Sequence, residues 1–167
     1  INLDKRAAFQ RFFNISTFES VSDLQRVIEP DIWVIAVPNE LHHECIRQII
    51  RDQTPKLIFC EKPMSDTYEN AETIVRNCRE KEILLCVNYI RRTDPGVLSI
   101  RELLSSKKLI SPFIAHVVTA GGLVNNGSHF IDLLHYLFGP VKTIKQFLNN
   151  TSDGQDRKEY SFYLKFE

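Results

Sequence analysis

Hydrophobic positions in the first half of the chain follow two periods that alternate along the sequence. Residues 32–37, 57–60 and 83–87 form short, continuous apolar runs, which are typical of strands buried on both faces of a parallel sheet. In residues 41–50 and 71–78 apolar side chains recur every three or four positions, as they do in amphipathic helices. Strands that alternate with helices in this way predict parallel βαβ units.

A different pattern begins after residue 88. The sequence predicts a helix, a strand, a second helix and two further strands, at residues 97–104, 113–118, 130–138, 141–148 and 160–166. Residues 149–158 are polar and predict a loop between the last two strands. This half is typical of a separate α+β layer. We therefore predict an α/β protein with two domains, residues 1–90 and residues 91–167.

Composition and charge narrow the possible functions. The chain has 167 residues, of which 43% are hydrophobic and 25% are charged, as in ordinary globular proteins. Its 21 basic and 21 acidic residues balance, so it has no net positive charge of the kind that binds nucleic acid or an anionic membrane surface. No apolar run approaches the roughly 20 residues that span a bilayer. We expect a cytoplasmic protein with a small-molecule partner.

The cysteines are interpreted as reduced core residues. The chain contains Cys45, Cys60, Cys78 and Cys86, and none of them shows CxxC spacing. Cys60 and Cys86 also lie inside apolar runs that predict strands. Because no cluster of histidine, cysteine and carboxylate has metal-ligand spacing, we expect no metal site.

An ionisable pair stands at the start of the helix predicted at residues 130–138. His129 and Asp132 are three positions apart and therefore project from one face, beside an apolar stripe. Asn126 or Ser128 is the predicted N-cap, which places His129 in the first turn, where the helix dipole favours a neutral imidazole. A neutral imidazole can accept a proton. The simpler interpretation is a polar residue at the boundary of an amphipathic helix.

Polar turns follow the first two predicted strands. Pro38-Asn39 ends the first strand and Glu61-Lys62-Pro63 follows the second, at the strand ends where open α/β sheets bind ligands. An ordinary structural turn is the alternative for both, and a solvated pair is the simpler interpretation of His42 and His43. No G-x-G-x-x-G that would cradle a pyrophosphate occurs. We therefore expect a fragment that lacks the first strand, turn and helix of its sheet and the end of its second domain.

Three motifs resemble, in order and spacing, the glucose-fructose oxidoreductase / inositol dehydrogenase / rhizopine catabolism (Gfo/Idh/MocA) family of NAD(P)-dependent oxidoreductases. They are Val37-Pro38-Asn39-Glu40-Leu41-His42, Cys60-Glu61-Lys62-Pro63 and Gly127-Ser128-His129-Phe130-Ile131-Asp132. The resemblance covers residues 4–144. It implies a partial Rossmann-type parallel sheet followed by part of an α+β open-sheet substrate domain, with NAD or NADP bound between them. We also expect a homo-oligomer formed through the C-terminal sheet.

The resemblance also implies roles for individual residues. The lysine matching Lys62 would approach the nicotinamide and the reacting hydroxyl, the histidine matching His129 would be the acid/base, and Glu61 would help to place the lysine. The candidate cofactor-binding residues are Pro38, Asn39, His42, Glu61 and Lys62. Arg92 can grip a phosphate or carboxylate, or belong to a polar hinge. The candidate substrate-binding residues are Arg92, Asn125, Asn126 and Asp132.

We predict an enzyme that transfers a hydride between NAD or NADP and a ring hydroxyl of a sugar, polyol or sugar nucleotide. This oxidation needs a base near the hydroxyl and a cation near the developing alkoxide, and His129 and Lys62 supply both. One alternative is a regulator that senses a nucleotide or sugar without turnover. It is favoured by Asn125, which stands where many family members carry aspartate, while the presence of Lys62 and His129 counts against it. A structural or interaction domain, the third possibility, needs no site.

Overall fold

A computed structural model describes residues 3–106, 114–118, 122–148 and 160–166. The chain divides into two compact units, Ile1–Asn88 and Tyr89–Glu167. The first unit contains a parallel sheet and the second an antiparallel one. No helix within these described ranges combines the length and the apolar character that a membrane crossing requires.

The first unit is built from three strands and four helices. In chain order they are α1 (Leu3–Phe13), α2 (Val21–Gln25), β1 (Ile32–Ile35), α3 (His42–Asp52), β2 (Leu57–Cys60), α4 (Tyr68–Glu80) and β3 (Leu84–Val87). The strands are parallel and lie in the order β1-β2-β3. The 3₁₀ turn Asn39–Leu41 leads into α3. The predicted βαβ units are therefore present.

One face of this sheet is covered by helices within the described residues. The residues of the buried cluster are Trp33, Ile35, Ile46, Ile49, Ile50, Ile58, Cys60, Ile74, Cys78 and Ile83. The alternate strand positions point the other way, and Val34 is 66% and Leu84 69% exposed. The prediction of strands buried on both faces is therefore wrong for the described residues, because α3 and α4 pack against a single face. Cys86 is likewise exposed, not part of a core.

α4 begins at a capping residue and buries one apolar stripe. Thr67 is the N-cap of α4, and its hydroxyl accepts a hydrogen bond of 3.2 Å from the Asn70 amide. Ile74 and Cys78, four positions apart, are the buried residues of that helix. α1 was not predicted from the sequence because it has no buried residue, and its Phe12 is 82% exposed.

Two helices and two strands are described in the second unit, within residues 89–106, 114–118, 122–148 and 160–166. They are α5 (Pro95–Ser105), α6 (Ser128–Phe138), β4 (Val141–Leu148) and β5 (Tyr160–Phe166), with a π-helical segment, Gly122–Gly127, directly before α6. β4 and β5 pair antiparallel, with Ile144 opposite Leu164. Both strands have the predicted bounds. The loop predicted at residues 149–158 lies outside the described residues.

The strand predicted at residues 113–118 is not found. Residue 113 lies outside the described residues, and residues 114–118 carry no strand. A strand requires a hydrogen-bonded partner, and β4 and β5 pair with each other. Ile114 is 85% and Val118 96% exposed, so apolar character alone did not produce a strand here.

Candidate functional site

The turns after β1 and β2 leave the same edge of the parallel sheet. The register pairs Ile35 with Cys60, so residues 36–39 and residues 61–63 follow neighbouring strand ends. The backbone amide of Glu61 donates to the Ile35 carbonyl at 2.9 Å, which extends the pairing by one step. We call residues 61–63 the lysine turn. The candidate cofactor residues Pro38, Asn39, Glu61 and Lys62 are thus brought to one edge.

His42 joins these two turns from the start of α3. Its side chain is fully buried. Nε2 lies 2.8 Å from the carbonyl oxygen of Val37, and Nδ1 lies 2.9 Å from the carbonyl oxygen of Pro63. The interpretation of His42 as a solvated histidine is therefore wrong. The spacing does hold the signal, since His42 stands four and seven positions before the buried Ile46 and Ile49.

Cys60 is the other buried polar neighbour of this imidazole. Its Sγ lies 3.5 Å from Nδ1 of His42 and donates to the Glu61 carbonyl at 3.2 Å. Burial raises the pKa of the Cys60 thiol to about 12. Because only the thiolate is a strong nucleophile, Cys60 is a structural thiol near neutral pH.

Asn88 holds the lysine turn from the opposite side. It follows β3, and its backbone amide donates to the Cys60 carbonyl at 2.8 Å. Its side-chain amide donates to Oε1 of Glu61 at 2.7 Å. Sequence reasoning did not assign Asn88 a role, although its position directly after a parallel strand is a signal for one. Glu61 is therefore held by its carboxylate as well as by its backbone.

In the second unit, two candidate substrate residues form an ion pair. Nε and Nη2 of Arg92 donate to the two carboxylate oxygens of Asp132, at 2.8 and 2.5 Å. Asp132 is 11% exposed and Arg92 42%. The hydrogen bonds to Asp132 raise the pKa of Arg92, and the charge of Asp132 and the neighbouring tyrosines add to this, whereas burial lowers it. Arg92 therefore holds both carboxylate oxygens of Asp132.

His129 lies in a continuous helical stretch. The residue before α6, Gly127, has helical backbone angles and no side-chain capping bond, because the π-helical segment runs directly into α6. The prediction of Asn126 or Ser128 as N-cap is therefore wrong, and Ser128 instead donates to the Asn125 carbonyl at 2.9 Å. Since the helical backbone begins at Gly122, the dipole argument for a neutral His129 loses its basis.

Tyr89 packs edge-on against His129. Their ring centroids are 6.0 Å apart, with planes at 88°. Burial raises the pKa of the Tyr89 hydroxyl, and the charge of Asp132 raises it further. Asn125 and Asn126 are exposed in the π-helical segment. His129 therefore sits beside a neutral phenol that sequence reasoning did not include in the site.

A pocket of about 420 Å³ opens beside these residues within the second unit. Its polar lining comes from Tyr89, Ser128, Asp132 and His135, and its apolar lining includes Ile131. A largely apolar wall with a few polar groups is typical of a small-molecule site. In the part of the chain that the structure describes, no group of three or more His, Cys, Asp or Glu side chains could hold a metal ion.

Two dehydrogenases and one solved structure are among the proteins that are similar to this chain. It is 30% identical over 147 residues to scyllo-inositol 2-dehydrogenase (NADP(+)) IolW of Bacillus subtilis, covering 75% of this chain and 40% of that protein. It is 31% identical over 100 residues to D-xylose 1-dehydrogenase [NADP(+)] of Haloarcula marismortui, covering 60% of this chain and 27% of that protein. The chain thus spans less than half the length of these relatives.

The structural comparison concerns the fold. The crystal structure of the WlbA dehydrogenase from Bordetella pertussis in complex with NADH and UDP-GlcNAcA has a TM-score of 0.80, at 20% sequence identity. The match covers 99% of this chain and 54% of that one. At this identity the likeness shows a shared fold, and the predicted α/β class is confirmed. A family model described as an oxidoreductase family with an NAD-binding Rossmann fold matches residues 1–89. More than half of the sequence is matched, and the chain therefore belongs to this Gfo/Idh/MocA family of NAD(P)-binding oxidoreductases, as its three motifs predicted.

Proposed function

We propose that the protein is an NAD(P)-dependent oxidoreductase that transfers a hydride between a nicotinamide cofactor and a ring hydroxyl of a sugar, polyol or sugar nucleotide. The observation that carries the proposal is the lysine turn, which His42 and Asn88 hold from two sides at the carboxyl edge of the parallel sheet. Open α/β sheets bind dinucleotides at this edge. A lysine held there is placed for chemistry more firmly than one on an unsupported turn.

The residues at this edge fit a nicotinamide dinucleotide. Pro38 and Asn39 are exposed, and Lys62 is half-buried, so a molecule bound at the strand ends can reach their side chains. The cofactor would be held by Pro38, Asn39, Glu61 and Lys62. His42 would support these residues from the buried side of the turns. Residues 1–167 contain no G-x-G-x-x-G turn, so that motif does not supply pyrophosphate contacts from this sequence.

The reaction assigns different tasks to Lys62 and His129. A nicotinamide cofactor held by Pro38, Asn39, Glu61 and Lys62 would supply the hydride acceptor for the alcohol carbon. The Lys62 ammonium stabilises the negative charge that develops on the substrate oxygen. His129 accepts the hydroxyl proton through a ring nitrogen. Arg92 and Asp132 form a preorganised polar pair for substrate hydroxyl groups.

The substrate class rests on the relatives. An inositol dehydrogenase and a xylose dehydrogenase are among the similar proteins, and both names specify NADP(+). A cyclic polyol or sugar is therefore the first substrate class to assay. The WlbA complex with UDP-GlcNAcA adds sugar nucleotides to the panel. The homo-oligomer stays a prediction, for which the β4–β5 sheet exposes Ile144 on one face and Tyr163 on the other.

A regulator that binds these ligands without turnover is the second candidate. It is favoured by Asn125, whose amide cannot take up a proton as an aspartate could. Both candidates bind a nicotinamide cofactor, so turnover separates them.

The test is the formation of reduced nicotinamide from NAD⁺ and NADP⁺ over a panel of inositols, aldoses and sugar nucleotides. His129→Ala should lower turnover about a hundredfold or more, the usual scale for a positioned base. His116→Ala, which removes an exposed histidine of the same unit, is the control and should keep the normal rate. Cofactor binding without turnover on any substrate would favour the regulator.

A further inference from the structure

We propose that His42 is a positioning residue: one buried imidazole lies between the carbonyls of Val37 and Pro63, and the proton on its Nδ1 bonds the Pro63 carbonyl and thereby sets where the lysine turn leaves the sheet. The Pro63 bond is the one that places Lys62. The importance of this placement for hydride transfer rests on the proposed function, whereas the bridge itself is a property of the fold.

The geometry leaves His42 no direct role toward a cofactor. Its side chain is 0% exposed, and both ring nitrogens lie within 2.9 Å of backbone oxygens. A ligand at the surface of the sheet edge therefore meets Lys62 or Asn39 before it meets this ring. The motif Pro38-Asn39-Glu40-Leu41-His42 combines an exposed turn with a buried histidine that anchors it.

The bridge acts on two loop segments that follow β1 and β2 at the sheet edge. Pro63 has no N–H, so its carbonyl is the backbone group through which it can hydrogen-bond. Val37 follows β1 and is exposed, and its carbonyl is also held by the ring. A carbonyl oxygen only accepts, so each bond requires a proton on the facing nitrogen, and a neutral ring donates one of the two bonds at a time. With that proton on Nδ1, the ring ties the lysine turn to the rigid start of α3 and lies against the Val37 carbonyl.

Amide side chains can separate the two bonds. The Asn amide nitrogen is as many bonds from Cα as Nδ1 of histidine, and the Gln amide nitrogen as many as Nε2. His42→Asn therefore keeps a donor near the Pro63 carbonyl, whereas His42→Gln keeps one near the Val37 carbonyl. His42→Leu fills the space and removes both. His43→Gln changes the neighbouring, half-buried histidine of α3 and is the matched control.

The experiment measures backbone ¹⁵N relaxation of Glu61, Lys62 and Met64 in each variant. In the unmodified chain and in His43→Gln the order parameter of Lys62 should be near the value of about 0.85 typical of rigid backbone. In His42→Gln and His42→Leu it should fall toward roughly 0.6, while His42→Asn stays close to the unmodified chain. If Asn and Gln behave alike, or if Lys62 stays rigid in both Gln and Leu, the proposal is wrong. The Asn–Gln comparison decides the matter even if the Leu variant does not fold.

Steady-state kinetics on the active substrate provide the functional readout. His42→Gln should lower kcat by about tenfold to a hundredfold, the scale of a small misplacement of a reacting group, and change KM much less. His42→Asn should recover most of the lost kcat. If the order parameters change as expected but the protein shows no turnover, the bridge is supported and the proposed function is overturned. Turnover that is lost equally in Asn and Gln variants would overturn the positioning role while leaving the proposed function in place.

Discussion

Arg92 and Asp132 are bound to each other by two parallel hydrogen bonds, although they are 40 positions apart in the sequence. This fork-to-fork geometry is the strongest arrangement that an arginine and a carboxylate adopt. Asp132 lies one helical turn after His129 on α6, so the pair ties the helix that carries the candidate base to the segment after Tyr89. The pair is therefore a support for the candidate base as well as a candidate substrate contact.

Arg92→Ala should destabilise the second unit, because it leaves the Asp132 carboxylate at 11% exposure without its two donors. We expect a loss of about 1–3 kcal/mol in the free energy of unfolding, measured by urea denaturation followed by circular dichroism. Arg91→Ala is the matched control. The Arg91 guanidinium lies 4.2 Å from the centroid of the Phe130 ring, a contact worth about 0.5–1 kcal/mol at an exposed site. Equal losses in both variants would mean that the ion pair adds nothing beyond ordinary packing.

Lys62→Met should lower kcat about a hundredfold with little change in the dissociation constant of the cofactor. A cation that faces a developing alkoxide acts mainly in the transition state, so its removal affects turnover more than ground-state binding. Steady-state kinetics and a fluorescence titration with reduced nicotinamide measure the two effects. Lys56→Met, at a surface lysine paired with Asp31, is the control. Unchanged turnover in Lys62→Met would reduce the lysine turn to a structural feature.

Tyr89 should make the second unit less stable in alkaline solution. Burial raises its pKa in the folded chain, so the folded state keeps the phenol proton more tightly than the unfolded state does. The resulting stabilisation is fully present below about pH 10, the ordinary tyrosine pKa, and is lost as the pH rises through the raised value. Urea midpoints at several alkaline pH values should fall less steeply in Tyr89→Phe than in the unmodified chain. Tyr68→Phe, at a tyrosine that is 74% exposed, should not change the slope.

The four cysteines should differ sharply in their reaction with a thiol reagent. Cys86 is exposed and should be labelled first in the folded chain, followed by the partly buried Cys45. Burial excludes the reagent from Cys60 and Cys78, and it raises the pKa of Cys60 to about 12, so both should react on unfolding. Peptide mass spectrometry after timed labelling gives the order. Rapid labelling of Cys60 in folded protein would show that the β2 end is open to solvent.

Local periodicity was sufficient to predict the strands that the structure describes, although it missed α1 and also predicted a strand at residues 113–118 that is not found. The apolar run at residues 57–60 is β2, the alternating pattern at 141–148 is β4, and that at 160–166 is β5. The three motifs likewise predicted the family, because residue types at a given spacing after a strand are themselves part of the sequence. Such features depend on neighbours within a few positions, and the chain order alone specifies them.

Tertiary structure decided which residues meet. The sequence placed His42 on a helix, but its burial depends on the Pro63 carbonyl, which approaches from 21 positions away. Glu61 and Asn88 are 27 positions apart and are brought together only because β2 and β3 are neighbours in the sheet. The π-helical segment also runs directly into α6 at Gly127, so the predicted N-cap, Asn126 or Ser128, does not form. Periodicity shows which face of a helix or strand is apolar. A hydrogen bond between residues far apart in the sequence depends on how the helices and strands pack, which no local pattern specifies.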